Sequence, residues 1–259
     1  MACMRRLLVF ALALLVLSAC EDAPDDDPTP TPGTAATGSP TGLTAPSSSL
    51  TPTPTPEPSP SPADVKLPAD APRSVDEPAA VASIAAGDLT PLAPPGAEIG
   101  FREVRADPFE EVTFTWRRGD DPFAQEQGFA VWQRSDQTWA AVYAFTDKPS
   151  KGVLGISTQV GELTGDDVYE YLTFEQTGGS GACGTWRVIA SSSGLAREVF
   201  RRTTCDTDIR IVNGLLEMRE AVYEPEDPHC CPSAFLTSRF EWDGEAFVLV
   251  SSEEIPAGG

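Results

Sequence analysis

Apolar residues recur at every second position in several segments after Gly100, and this period of two limits the possible fold more than any other feature of the chain. Val112, Phe114 and Trp116, for example, alternate with polar residues. Successive side chains of a β-strand point to opposite faces, so this pattern predicts strands that turn one face toward a core. Further strands are predicted over residues 129–133, 139–145, 209–212, 215–218, 236–242 and 246–250.

Turn sequences separate the predicted strands. Asn213-Gly214 and Asp243-Gly244 each stand between two of them, and Ser135-Asp136-Gln137 precedes the strand that starts near Trp139. Asn-Gly and Asp-Gly favour two-residue hairpins, because both central positions of a type I′ turn need positive φ. In the last hairpin the even-numbered residues from Leu236 to Trp242 share one face, which predicts a sheet with one solvated side. The fold class predicted is mostly β (α+β at the margin), an antiparallel meander forming a sandwich or partial barrel.

One short helix is predicted before the strands. Ser74 and Glu77 have the spacing of a capping box, Pro78 follows, and Gly87 ends the alanine-rich segment 79–86. Its buried stripe is predicted to consist of Val81, Ile84 and Ala85. The alternative is an irregular alanine-rich lead-in.

The N-terminus has the pattern of a secretory signal. Two arginines precede an apolar run from Leu7 to Ala19, which is shorter than the roughly 20 residues of a membrane-spanning helix. The sequence Leu17-Ser18-Ala19-Cys20 resembles the lipobox of bacterial lipoproteins. That resemblance implies cleavage of the signal peptide 1–19 before Cys20 and diacylation of its sulfur, so that lipid (palmitate) chains hold the protein to the cell membrane.

Residues 20–62 are predicted to be a disordered stalk that follows the lipidated cysteine. The segment is rich in Pro, Thr and Ser and has almost no apolar side chain to bury, so extended polyproline II conformations are favoured. Residues 63–259 are predicted to form a globular, β-rich extracytoplasmic domain.

The formal net charge of −21 excludes some partners. An acidic protein is repelled by nucleic acid and by anionic headgroups, so neither is expected as a ligand. The charge is compatible with divalent cations or basic partners, and equally with a role in solubility alone.

Four cysteines lie in the predicted domain: Cys183, Cys205, Cys230 and Cys231. An even number in an exported domain predicts two disulfides. A bond between the adjacent Cys230 and Cys231 would strain the peptide that joins them, so Cys183 and Cys205 are each expected to bond to one member of that pair. The nested arrangement, Cys183 with Cys231 and Cys205 with Cys230, is slightly favoured over the crossed one.

One loop has the spacing of a calcium site. Glu162, Thr164, Asp166 and Glu170 place side-chain oxygens at alternate positions and then four residues on, which resembles the short loops of FG-GAP repeats. Hard cations such as Ca²⁺ take oxygen ligands of this kind. Asp167 stands where those loops have glycine, and the alternative is a solvated turn between two strands.

Candidates for catalysis are few. His229 is the only histidine, and it would need a nucleophile and an orienting acid to act as a base, or free thiolates to hold a metal. The segments 178–182 and 190–194 each lack one glycine of a serine nucleophile elbow. The acidic pairs Glu110-Glu111 and Asp120-Asp121 are interpreted as surface charge.

The five tryptophans are a candidate sugar-binding platform. Trp116 and Trp242 are in phase with apolar neighbours, however, so packing in the core is favoured for these two.

A set of landmarks lies between Gly161 and Leu249. They are Gly161-Glu-Leu-Thr-Gly-Asp166, Gly178-Gly-Ser-Gly181, Asp227-Pro-His-Cys-Cys-Pro-Ser233 and Phe240-Glu-Trp-Asp-Gly244. The Asp-Pro-x-Cys-Cys-Pro-Ser element with the aromatic hairpin after it resembles the C-terminal part of LppP/LprE-type bacterial lipoproteins. The resemblance covers about a third of the chain and implies an envelope location and disulfides, but no settled activity.

The function predicted from these features is a non-enzymatic binding or interaction domain, lipid-anchored on the extracytoplasmic side of a membrane, with an envelope or extracellular ligand. The alternative is an envelope hydrolase that is cation-dependent, using the Glu162–Glu170 loop, or of the serine type.

Overall fold

The alternating segments form thirteen strands in the part of the chain that the structure describes. The structure is a computed structural model and describes residues 65–122, 124–147, 153–177 and 182–258. The predicted signal peptide, Cys20 and the stalk lie outside these residues. The strands are β1 Ser74–Val75, β2 Glu98–Arg105, β3 Glu111–Arg118, β4 Glu126–Ser135, β5 Thr138–Asp147, β6 Val153–Gly161, β7 Glu170–Thr177, β8 Gly184–Ser192, β9 Leu195–Thr204, β10 Thr207–Val212, β11 Leu215–Val222, β12 Ala234–Trp242 and β13 Phe247–Pro256.

The strands form three open antiparallel sheets, so the mostly β prediction and the meander are confirmed. Sheet A has the order β1-β5-β4-β3-β2, sheet B the order β6-β7-β8-β9, and sheet C the order β10-β11-β12-β13. Within each sheet every strand pairs with its neighbour in the sequence, except that β1 pairs with β5.

Three hydrophobic clusters place the sheets in layers. The first packs the segment before β2, including Leu67, Ile84 and Leu92, against one face of sheet A. The second joins the other face of sheet A to sheet B. The third joins the opposite face of sheet B to sheet C. Sheet B is therefore the inner layer of three, and the first four residues of β7 are all buried.

The short helix is confirmed, but two details of its prediction are wrong. Helix α1 spans Pro78–Ala85 and ends before Gly87, whose φ is +86°. Ser74 does not cap it, because Ser74 belongs to β1 and the N-cap, Glu77, makes no side-chain cap hydrogen bond. Ile84 is buried and Val81 partly so, whereas Ala85 is exposed. Across residues 65–122, 124–147, 153–177 and 182–258, no helix has the length and apolarity needed to cross a bilayer.

The turn predictions hold in part. Asn213 and Gly214 both have positive φ, as a two-residue type I′ hairpin requires. Asp243-Gly244 instead belongs to a four-residue loop, since β12 ends at Trp242 and β13 begins at Phe247. The Asp243 carboxylate stabilises this loop by accepting hydrogen bonds from the N–H groups of Glu245 and Ala246.

A bulge interrupts the alternation in β5. Val131 pairs with Tyr143 while Trp132 pairs with Ala141, which leaves Val142 as an extra residue. Trp139 and Ala141 consequently pack in the first cluster, while Tyr143 lies in the second.

Candidate functional site

The loop predicted to bind calcium connects β6 to β7, and its oxygens accept hydrogen bonds from the loop itself. The Glu170 carboxylate accepts hydrogen bonds from the Leu163 N–H at 2.6 Å and from the Thr164 hydroxyl at 2.9 Å. Glu162 accepts a hydrogen bond from the N–H of Gly165, and Asp166 accepts one from the N–H of Val168. The four predicted ligands are therefore brought into one turn, where each already stabilises the loop.

Glu170 is the buried member of this group. Burial, with smaller contributions from Asp166 and Glu162, raises the pKa of its carboxyl group to about 7, and the bonds from Leu163 and Thr164 oppose the rise. Such a group holds a proton in weak acid and releases it near neutral pH. In the described part of the chain, no three His, Cys, Asp or Glu side chains are grouped so as to hold a metal ion.

Glu111 contradicts the prediction of surface charge, because its side chain is 0% exposed. Its carboxylate pairs with Arg105 and accepts hydrogen bonds from the Tyr171 hydroxyl at 2.7 Å and the Gln133 amide at 2.9 Å. Tyr171 belongs to sheet B, so the cluster ties two sheets together. Burial, and next the negative charge of Glu111, raise the pKa of the Tyr171 phenol.

Glu110 is exposed and pairs with Arg134, as predicted for surface charge.

A second buried ionic cluster lies between the same two sheets. Arg187 on β8 pairs with Glu175 and, at 3.3 Å, with Glu198. Its guanidinium lies 4.2 Å from the centre of the Phe145 ring, and the Tyr143 hydroxyl donates to Glu198 at 3.1 Å. Burial lowers the pKa of Arg187 and raises that of Tyr143. In both clusters the charged groups pair with opposite charges, and the Tyr171 and Tyr143 hydroxyls link these pairs across sheets A and B.

Neither cluster has a direct signal in the amino-acid sequence. Glu111, Thr113 and Thr115 occupy one face of β3, and a face without apolar residues is interpreted as solvated when the sheet that covers it is unknown. The burial of β3 on both faces explains the pairing: Val112, Phe114 and Trp116 fill one buried face, and a charge such as Glu111 on the other buried face needs a partner.

The disulfide pairing predicted for the domain is wrong. Cys183 is bonded to Cys205, while Cys230 and Cys231 are free and exposed. The reason is the β8–β9 hairpin, whose register pairs Gly184 with Thr204 and so brings the two flanking cysteines together. Cys230 and Cys231 lie instead in the loop between β11 and β12, where their sulfur atoms are 2.8 Å apart.

His229 and the serine segments do not meet as a catalytic set. His229 is 77% exposed, with its Nδ1 atom 3.8 Å from the Asp206 carboxylate. Ser191 and Ser192 end β8, and Gly194 belongs to a hairpin turn, whereas a nucleophile elbow opens a helix. The other candidate elbow, 178–182, lies almost wholly outside the described residues.

Four of the five tryptophans are buried, namely Trp116, Trp132, Trp139 and Trp186. Core packing is confirmed for Trp116, while Trp242 is partly exposed and contacts Phe247 with ring centres 5.2 Å apart. Buried rings do not offer the exposed faces that a sugar platform needs.

Two open pockets flank the sheets. One, of about 220 Å³, lies where β6 approaches β10, and its charged residues Asp208 and Arg210 pair with each other at 2.6 Å. The other, of about 400 Å³, lies between residues 87–90 and 99–102. Neither brings a nucleophile next to a base.

Strand β13 has the most exposed large apolar side chains of any strand in the described residues. Of the seven large hydrophobic residues that the described part of the chain leaves exposed, four lie on β13: Val248, Leu249, Val250 and Ile255, each between 41% and 48% exposed. Within the described residues β13 pairs only with β12, so its outer edge presents backbone N–H and C=O groups. An exposed apolar edge of this length is a template for pairing with a further strand.

Comparison of the chain with models of protein families, with curated proteins and with solved structures finds no match.

Proposed function

We propose that this protein is an exported lipoprotein, anchored to a membrane through Cys20, whose β domain binds an extended polypeptide at β13. The anchor is supported by the basic and apolar N-terminus and by Leu17-Ser18-Ala19-Cys20, all outside the described residues. The resemblance of the Asp227–Ser233 element to LppP/LprE-type lipoproteins supports the same location.

The observation that carries the binding function is the concentration of exposed apolar side chains on one edge strand. Val248 and Leu249 point to opposite faces, and Val250 is the extra residue of a bulge between Leu249 and Ser251. An added strand therefore gains apolar contacts on both faces as well as main-chain hydrogen bonds. This mode of recognition needs no deep pocket, which agrees with the small open pockets described above.

The charges around β13 favour a basic partner. Glu241, Asp243 and Glu245 lie before its apolar centre, and Glu253 and Glu254 lie after it, all of them exposed. A second copy of this chain, added antiparallel at the same edge, would place these acidic groups against their equivalents. A peptide with an apolar centre and lysine or arginine at both ends would instead place opposite charges together.

The test uses the full chain and a synthetic peptide of alternating valine and threonine with a lysine at each end. Binding is measured by fluorescence anisotropy of the labelled peptide, and amide hydrogen exchange locates the site. We expect saturable binding and slower exchange in β13. Val250→Lys should abolish binding because it places a charge against the uncharged centre of the peptide, whereas Val104→Lys, at a valine 58% exposed on the edge strand β2, should leave binding unchanged.

Three results would refute the docking site. They are no binding at millimolar peptide, protection of strands other than β13, and equal loss of binding in the two lysine variants. If the peptide does not bind and the protein instead self-associates in a way that Val250→Lys abolishes, the partner at β13 is a second copy of this chain.

A further inference from the structure

Cys230 and Cys231 form a pair of free thiols on the surface. Neither is bonded, both are exposed, and their sulfur atoms lie 2.8 Å apart. The domain's disulfide, Cys183–Cys205, leaves this pair without an obvious structural purpose. The sulfur atoms therefore have little distance to close, although a bond between them also strains the peptide that joins the two cysteines.

The loop that carries the pair is held by hydrogen bonds at both ends. One oxygen of Asp227 accepts hydrogen bonds from the Glu224 N–H at 2.7 Å, from the Ser233 N–H at 3.0 Å and from the Ser233 hydroxyl at 2.7 Å. Asp227 thereby closes the loop around the two cysteines. Such bonds keep the loop's ends in place whether or not the sulfur atoms are bonded.

Two further contacts fix the backbone next to the sulfur atoms. The Cys231 N–H donates to the Pro228 carbonyl at 2.9 Å. The Tyr223 hydroxyl donates to the His229 carbonyl at 2.9 Å, and the two rings meet edge to face. The thiols are thus presented to solvent from a defined loop.

We propose that Cys230 and Cys231 are a redox-active vicinal dithiol that exchanges with disulfide-bearing molecules at the surface of the domain. This site is independent of β13 docking. In the first step a thiolate of the pair attacks the incoming disulfide, forming a mixed disulfide and releasing one thiolate of the partner. In the second step the neighbouring cysteine attacks the mixed disulfide and releases the other partner thiol.

The exchange balances without any other reactant. The two cysteines lose two electrons and two protons as their sulfur atoms bond, and the partner's disulfide gains them and becomes two thiols. The product is an eight-membered ring that includes the peptide between the two cysteines. Because ring closure strains that peptide, the reverse reaction with excess thiol is favourable, as is typical of labile rather than structural disulfides.

The surroundings set the pH at which the pair reacts. The hydrogen bond with Cys230 raises the pKa of the Cys231 thiol, and the Cys230 and Asp227 charges add to the rise. Glu224, Glu226 and His229 on the loop, with Tyr223 at its start and Asp206 beside His229, are the other ionisable groups near the pair. A raised thiol pKa leaves less thiolate at neutral pH, so exchange should accelerate as the pH rises.

The experiment treats the fully reduced loop of the purified full chain with glutathione disulfide and, in a parallel arm, with an oxidised thioredoxin-type protein. Isotope-coded alkylation and peptide mapping then report each cysteine separately. We expect Cys230 and Cys231 to lose alkylation together without retaining glutathione, to recover it with excess reduced glutathione, and to leave Cys183–Cys205 bonded throughout. Reaction in only one arm would identify the partner as a small molecule or a protein.

Single-cysteine variants test the two-step mechanism. In Cys231→Ser no neighbouring thiol can attack the mixed disulfide, so Cys230 should retain glutathione. In Cys230→Ser, Cys231 should retain glutathione for the same reason. Phenylarsine oxide, which needs two neighbouring thiols, should bind the reduced wild-type loop and neither variant. The proposal is overturned if wild-type protein retains glutathione on one sulfur, if neither thiol reacts in either arm, or if the arsenical binds the variants equally well.

Discussion

Replacing Glu170 by glutamine is expected to change how the stability of the domain depends on pH. Burial raises the pKa of this carboxyl group in the folded protein to about 7, from an ordinary value of 4.5. Between these two pH values the folded protein holds a proton that the unfolded chain has released. The free energy of unfolding contributed by Glu170 therefore falls as the pH rises from about 4.5 to about 7, and is constant on either side.

The size of the effect follows from the two pKa values. The difference between about 7 and 4.5 corresponds to about 3 kcal/mol, at about 1.36 kcal/mol per pKa unit. Glutamine is nearly isosteric: its oxygen accepts from the Leu163 N–H and its amide donates to the Thr164 hydroxyl. Glutamine does not ionise, so its free energy of unfolding lacks this fall. As the pH rises from 4 to 8, the free energy of unfolding of Glu170→Gln should therefore increase by about 3 kcal/mol relative to that of the wild type.

Urea unfolding of both proteins at pH 4, 5, 6, 7 and 8 measures this difference. Asp167→Asn is the matched control, because Asp167 lies in the same loop, is exposed, and has a φ of +63° that asparagine tolerates. The control should show no comparable gain. A wild-type minus Glu170→Gln difference that stays constant within 1 kcal/mol over this range would refute the reasoning about Glu170.

The same proteins test the predicted calcium site at Glu162, Thr164, Asp166 and Glu170. A bound cation would relieve repulsion between carboxylates in one turn, so at pH 8 calcium should raise the wild-type melting temperature and chelator should lower it. Glu170→Gln should weaken both shifts. If neither calcium nor chelator changes the wild-type melting curve, the prediction of a calcium site is wrong.

Three further predictions concern the buried ion pair, the disulfide and the lipid anchor. Glu111→Leu should lower the free energy of unfolding by about 3 to 5 kcal/mol in urea, because Arg105 is left buried without its partner, and adding Arg105→Met should recover part of the loss; a loss below about 1 kcal/mol would contradict this. Cys183→Ser with Cys205→Ser should cost about 3 kcal/mol, since the bond spans a sequence separation of 22. Cys20→Ala should abolish labelling with radioactive palmitate and membrane attachment, and attachment that persists would refute lipid anchoring.

Much of the fold was predictable because hairpins are local. Val112, Phe114 and Trp116 lie on one buried face as their alternation predicts, and Asn213-Gly214 forms the turn that its positive φ angles favour. Such features depend on residues close in sequence, whose spacing can be read directly.

What the sequence did not reveal depends on residues far apart in it. Glu111 and Tyr171 are 60 positions apart and meet only because sheet B covers sheet A. The Cys183–Cys205 pairing is an intermediate case: Ser193-Gly194 lies close to midway between the two cysteines, so recognising that turn would have placed them side by side. A bulge opposite Val188 and Ile189 shifts the strand pairing by one residue, so the two cysteines do not lie at equal distances from the turn.

The order of strand pairing also affects how the chain folds. From β2 to β13, each sheet grows by adding the next strand in the sequence, so pairing is local and the entropic cost of closing each hairpin is modest. A chain emerging from its N-terminus onward can therefore form its hairpins one after another. Strand β1 is the exception, because Ser74 pairs with Ala140 and must wait for β5. The segment nearest the predicted anchor thus completes sheet A only after most of that sheet has been made.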